Sequence, residues 1–241
     1  TPSHMPVMPP IETPAKSTRS RPRRSRSATT SRPSCAIEYG PGGTDDWPWP
    51  QVFLAMTMVP AYVIFAVALA ACSAAGARLL GWRTPPPGSW PLQEMEWPVL
   101  RWACYMASIH VVRLLVGSMF RSSVLWTTYM RWNGAHIGRG VYVNSLSISD
   151  HNMLEFGDGV IIGEGVHLSG HTVEAGTLKT GHVRLGRSVT VGLESIVGID
   201  VTAGDHCQIA AFSIVPKHAV LEAGAVYAGA PARQVSPANH A

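Results

Sequence analysis

Cysteine is scarce in this chain and scattered. Cys35, Cys72, Cys104 and Cys207 form no close pair, so they suggest neither a disulfide framework nor a thiolate metal site. Large apolar side chains are nearly absent from residues 1–46, which are rich in Pro, Ser, Thr and Arg. Such a segment cannot bury enough surface to fold and is expected to be disordered. No aromatic residue lies among Arg19, Arg21, Arg23, Arg24, Arg26 and Arg32, and no nucleic-acid fold accompanies them. The cluster therefore reads as a flexible basic tail beside a membrane, with no nucleic-acid partner. Much of the formal charge of +4 comes from this tail, so it says little about the folded part. The chain begins with Thr1, which leaves open a processed protein or a piece of a longer one.

Charge is missing altogether from Val52 to Ala77. About twenty apolar residues span the hydrocarbon core of a bilayer, so a transmembrane helix is expected over about 52–77. Trp47, Trp49 and Trp82 flank the run, as interfacial aromatics do. Pro60 can kink such a helix without excluding it. The run is too long and too far from the N-terminus for a secretory signal. The alternative is a buried helix of a soluble protein. A second helical stretch, Pro98–Arg131, carries Arg101, His110, Arg113 and Arg121. It either spans over about 99–120 with Arg113 facing protein or water, or lies in the interface with its arginines on headgroups. The basic tail favours the cytoplasm, and a second crossing would return the C-terminal part to that side. Between the helices, Arg83–Gly88 is a stiff Pro-rich turn segment. The expected domains are thus a tail (1–46), a membrane-associated segment (47–132) and a C-terminal domain (133–236).

That last domain keeps a six-residue rhythm. Leu185, Val191, Val197, Ala203, Ile209, Val215, Leu221 and Tyr227 recur at this interval, each followed by a mostly small or turn-forming residue. A helix has period 3.6 and an alternating strand period 2, so neither fits. Six residues make one short flat face and one corner of a three-sided coil, which predicts a mainly β chain wound as a parallel β-helix. Upstream, Ile137 and Val143 begin the pattern, and Phe156, Ile162 and Leu168 resume it one residue out of phase. Leu168 and Leu185 are seventeen residues apart, so Ser169–His182 must leave the coil as a loop. Loops on rigid scaffolds often carry function, although a tolerated surface insertion would look the same.

The hexapeptide pattern, this loop and the C-terminal Gly229-Ala230-Pro231-Ala232-Arg233 resemble the hexapeptide-repeat acyltransferases over roughly residues 134–236. In that family a Gly-His pair opens a loop before an Ile-Gly-x-x-x-x-Val/Ile-Gly block. Here Ser169-Gly170-His171 precedes Leu185-Gly186 and Val191-Gly192. The resemblance implies a left-handed β-helix, a homotrimer with sites between subunits, and acetyl-CoA or another acyl-CoA as co-substrate. Two hydrophobic helices leading into Arg131-Trp132-Asn133-Gly134 also look like the C-terminal membrane domain of polylysine-synthetase-like non-ribosomal peptide synthetases. In that setting a carrier protein could hold the thioester instead. Nothing in the chain resembles an adenylation or carrier domain.

The implied reaction moves an acyl, typically acetyl, group to an amine or hydroxyl of a small-molecule or peptide acceptor. A neutral imidazole suits the proton removal, and the Gly-His motif points to His171 as base. Glu174 is the second catalytic candidate, to orient that ring or touch the acceptor; His167 and His182 are lesser ones. By likeness, Ala211, Leu193, Lys217 and Arg233 face the donor, and Asn144 and Asp150 face the acceptor. The family often has a small polar residue where Leu193 stands. Two other readings stay open: a non-catalytic trimerising β-helix at the end of a synthetase, and a γ-type carbonic anhydrase. The latter needs histidines where Leu193 and Gly198 stand, and no metal is expected.

Overall fold

The computed structural model describes residues 49–236, so the basic tail and Cys35 lie outside the described residues. Helix α1 runs from Trp49 to Leu79 and continues through Pro60. It ends because Gly81 adopts φ +66°. There the Trp82 N–H returns to the Ala77 carbonyl at 2.8 Å and the Gly81 N–H to Arg78 at 3.3 Å. This left-handed glycine cap satisfies carbonyls that the helix end would otherwise strand. Helix α2 (Trp97–Val112) carries Pro98 in its first turn, where a missing N–H costs nothing. A π turn (Arg113–Gly117), α3 (Ser118–Phe120) and α4 (Val124–Trp132) follow. α1 and the run Trp97–Phe120 are both long and apolar enough to cross a membrane. α1 buries only alanines of its own, Ala66, Ala70, Ala74 and Ala77, and exposes Phe53, Leu54, Met56, Val59 and Ile64.

α2 is held on two sides. Toward α1, the Ser73 hydroxyl meets that of Ser108 at 2.8 Å, and Tyr105 and Ile109 pack with Ala77. Toward the coil domain, the Arg113 guanidinium donates to the Ile148 carbonyl, and the Tyr105 hydroxyl accepts from the His151 N–H at 3.2 Å. Arg113 therefore faces protein.

From His136 onward the chain winds through three parallel ladders, as the six-residue rhythm requires. The inward residues Leu185, Val191, Val197, Ala203, Ile209, Val215, Leu221 and Tyr227 are all buried, as are most of the small residues four places on. Each buried aliphatic contributes about 1.5–3 kcal/mol, so the interior row is the main adhesive. The corners turn through a left-handed residue at each repeat: Ser188, Glu194, Asp200, His206, Phe212 and His218 have φ of +53° to +59°. Coils stack so closely that a Cβ on Gly192 would lie 2.4 Å from the Ala211 nitrogen.

Register shows where the rhythm breaks. Thr190 pairs with Gln208, eighteen residues on, but also with Ile161, twenty-nine back. The eleven extra residues are the expected loop, which is not irregular. His171–Glu174 and Thr177–Thr180 form an antiparallel hairpin, and Gly88–Pro91 of the inter-helix linker adds a third strand. The strand begins where the expected turn segment Arg83–Gly88 ends. A second break is one residue long: Tyr142 pairs with Ile161, nineteen on rather than eighteen. The extra residue falls within the stretch after Val143 that holds a short 3-10 turn, His151–Met153, and Asp150 with φ +55°.

Candidate functional site

The two breaks meet. Asp150, from the one-residue break, is wholly buried, and His171, from the hairpin, lies against it with Nδ1 at 2.5 Å from Oδ2. Oδ1 accepts from the Thr84 hydroxyl at 2.6 Å and the Trp102 indole N–H at 3.3 Å. Oδ2 also accepts from the hydroxyls of Ser149 at 3.2 Å and Ser169 at 2.9 Å, and from the Gly170 N–H at 3.1 Å. Burial pushes the Asp150 carboxyl up. The hydrogen bond and charge of His171, with hydrogen bonds from Thr84 and Ser169, outweigh this and hold it below the usual carboxylate range. An ionised Asp150 makes Nδ1–H of His171 the donor. In a neutral ring Nε2 is then free to accept a proton.

The imidazole is 19% exposed, and Trp102 of α2 sits edge-on to it at 4.9 Å. Gly170 must be glycine because a Cβ there would lie 2.6 Å from the Met153 Cβ and 3.0 Å from the Asp150 Cβ. Behind the pair, His151 is fully buried among Tyr105, Trp126 and Tyr129, with ring centroids 6.3, 6.0 and 5.8 Å away. Burial, then the charge of Arg113, lowers its pKa to about 3 against the opposing pull of Asp150, so this ring stays neutral. His167 is also pushed down, by burial and then by His171 and Arg113.

Two candidate site residues lie in surroundings other than those expected of them. Asp150, assigned to the acceptor, has no exposed surface and is hydrogen-bonded to the imidazole. Glu174, considered for orienting that ring, lies at the far end of the hairpin strand. Its carboxylate pairs with Lys179 at 3.0 Å and with Lys217. Lys217, expected to assist the donor phosphates, is thereby engaged within its own chain. Asn144 accepts from the Ser122 hydroxyl at 2.6 Å and remains partly exposed. Leu193 and Ala211 lie on successive coils, and the Leu193 carbonyl accepts from the Phe212 N–H beside Ala211 at 2.9 Å. Arg233 is exposed on the closing strand Arg233–Ser236, and no contact joins it to His171. His182 lines a separate cavity with Arg83, Pro86 and Asn152. Sequence reasoning missed Thr84, Trp102 and Ser169, the first two because they come from the helical region. The out-of-phase residue after Val143 was the one signal that marked the coil position of Asp150.

No protein-family model matches the chain. Galactoside O-acetyltransferase of Escherichia coli (strain K12) is 36% identical over 112 residues, which is 43% of this chain and 54% of that protein. Delta-poly-L-ornithine synthetase of Acinetobacter baumannii (strain AB307-0294) is 29% identical over 150 residues, 61% of this chain and 11% of the synthetase. The chain therefore spans about half the length of one curated relative and about a tenth of the other. Among solved structures, a galactoside acetyltransferase in complex with coenzyme A is 30% identical over 44% of this chain and 56% of that one, with a TM-score of 0.38. The 150-residue match is longer than the repeat domain itself, so likeness to the synthetase reaches beyond the coils. The chain is thus similar over less than half of its length to a galactoside O-acetyltransferase and, over more of it but at lower identity, to a polyamino-acid synthetase.

Proposed function

We propose that this protein is a membrane-tethered acyltransferase that moves an acyl group, acetyl in the simplest case, from a coenzyme A thioester to an amine or hydroxyl. One observation carries the reading: a buried, multiply hydrogen-bonded Asp150 held against the partly exposed imidazole of His171. In it, the incoming nucleophile gives its proton to Nε2 of His171 as it attacks the thioester carbonyl, and Asp150 stabilises the ring as it becomes charged. The C–S bond then breaks, and the departing coenzyme A sulfur takes that proton from Nε2. His171 is the catalytic residue and Asp150 a positioning residue. Proton transfer of this kind contributes about 10²–10⁴ in rate.

The donor lies along a left-handed coil stack at the junction with a neighbouring subunit of a homotrimer, with Leu193 and Ala211 on the pantetheine side and Arg233 toward the phosphates. A guanidinium suits that last task because it forms paired, charge-assisted hydrogen bonds. Exposed Ile161, Ile196, Ile214 and Phe212 on the coil faces support such assembly. Asn144 stays on the acceptor side. The two apolar helices support a membrane placement, and the reading sets the coils on the cytoplasmic face, where coenzyme A thioesters occur. The likeness to the synthetase supports a second reading, a non-catalytic trimerising module.

The test uses the detergent-solubilised full chain and its His171→Ala variant. Acetyl-CoA binding is measured by calorimetry and thiol release with a panel of amines and alcohols. Binding by both proteins, with turnover lost in the variant, supports the acyltransferase. Absence of binding, or binding without turnover on any acceptor, supports the module instead.

A further inference from the structure

We infer that the junction of α1 with the coil domain binds an anionic phospholipid, its headgroup phosphate between Arg78 and Arg83 and one acyl chain along the C-terminal half of α1. The inference rests on the membrane placement of α1 proposed above.

Two adjoining cavities carry it. One, of about 380 Å³, is lined by Ala71, Ala74, Ala75, Leu79, Arg78 and Trp132. The other, of about 250 Å³, shares Arg78 and Trp132 and extends past Gly81 and Trp82 to Arg83 and Asn152. Their chemistry is graded. The first offers alanine methyls, a leucine and an indole, which suit a hydrocarbon chain. The second offers two exposed guanidinium groups and asparagine amides. No aspartate or glutamate lines either cavity, and neither Arg78 nor Arg83 has an ion-pair partner among the described residues.

An apolar chain joined to a single negative headgroup is the ligand that satisfies both halves at once. The helix end supplies the right depth. Trp82 and Trp132 sit beside the two arginines at the level where α1 stops, the arrangement that marks a membrane–water boundary. A zwitterionic lipid would bring its own cation beside the two guanidiniums, and free phosphate would leave the alanine-lined groove empty.

The site also abuts the candidate catalytic pair without entering it. Arg83 precedes Thr84, whose hydroxyl holds Asp150. A third cavity continues from Arg83 and Asn152 to Thr84 and Pro86. Neither Asp150 nor His171 lines any of these three cavities, so the lipid is a resident ligand and not the acceptor.

Detergent-purified full chain is equilibrated with equal amounts of phosphatidylglycerol and phosphatidylcholine, and retained lipid is counted by native mass spectrometry. Native protein should retain phosphatidylglycerol about thirtyfold in preference, from about 1 kcal/mol for each of the two arginines. Arg78→Gln with Arg83→Gln should bring that ratio near one. Arg187→Gln, which removes a charge on the coils, should leave it unchanged. Equal retention of the two lipids by native protein, or an undiminished preference in the double variant, overturns the site. Loss of the preference on adding millimolar inorganic phosphate also overturns it, in favour of a simple phosphate site. Co-flotation with pure phosphatidylcholine vesicles tests the membrane placement separately: a chain that floats but shows no preference keeps that placement and loses only this site.

Discussion

Replacing Asp150 by Asn tests the candidate site most directly, because the change is almost isosteric and the neighbours that respond are all identified. Both carboxylate oxygens accept, Oδ1 from Thr84 and Trp102 and Oδ2 from Ser149, Ser169, Gly170 and His171. Hydroxyls can rotate to suit an amide, but the Trp102 indole N–H and the Gly170 backbone N–H cannot. Whichever oxygen becomes NH₂ therefore faces a fixed donor in a site with no water access. One unsatisfied buried donor costs about 1–3 kcal/mol, and hydrogen bonds to a charge lost with the carboxylate add about 1.5–3 kcal/mol. A loss of about 3 kcal/mol in unfolding free energy is expected, read by urea denaturation.

Function should suffer more than stability. Without the carboxylate, His171 has no partner that fixes Nδ1 as the protonated nitrogen, a change that costs about 10⁴ in kcat in serine protease triads. Thiol release from acetyl-CoA should fall by about 10²–10⁴, while acetyl-CoA affinity stays within about threefold of native. A variant that matches native protein in both turnover and urea midpoint would refute the assignment of Asp150. One that loses only acceptor affinity would restore its expected role on the acceptor side.

Other consequences are quick to check. His151 has a pKa near 3 in the fold against about 6.5 when unfolded, so the unfolded chain binds the extra proton and stability falls as pH drops through the window from 6.5 to 3. The loss approaches about 5 kcal/mol at its lower end; Asp150, held below its usual range, adds loss as it protonates. His151→Phe should flatten the upper part of that profile in melts recorded from pH 7 to 4. Gly170→Ala forces a methyl against Met153 and Asp150, so turnover should drop and the melting temperature fall by several degrees. Cys207 is buried and its thiol pushed up to about 11. It should resist maleimide at pH 8 until urea unfolds the coils.

The six-residue spacing was enough to specify the coil, because only a triangular turn lets every sixth residue point inward and every corner be tight. The same spacing located the hairpin as a residue surplus between Leu168 and Leu185. The uncharged run from Val52 to Ala77 likewise announced a long apolar helix, observed as Trp49–Leu79. Composition could not show that a segment of the Pro-rich linker joins the hairpin sheet, since strand pairing across about ninety residues leaves no local trace. Nor could it separate Asp150 from Glu174 as partner of His171. Both carboxylates lie within reach along the chain, and Glu174 is by far the nearer in sequence. The choice came from tertiary packing. Two departures from the coil rhythm, remote in sequence, are stacked on adjoining turns and closed over by Trp102 and Thr84 from outside the repeat. Periodicity records what each coil repeats, whereas the site is made of what the coils do not.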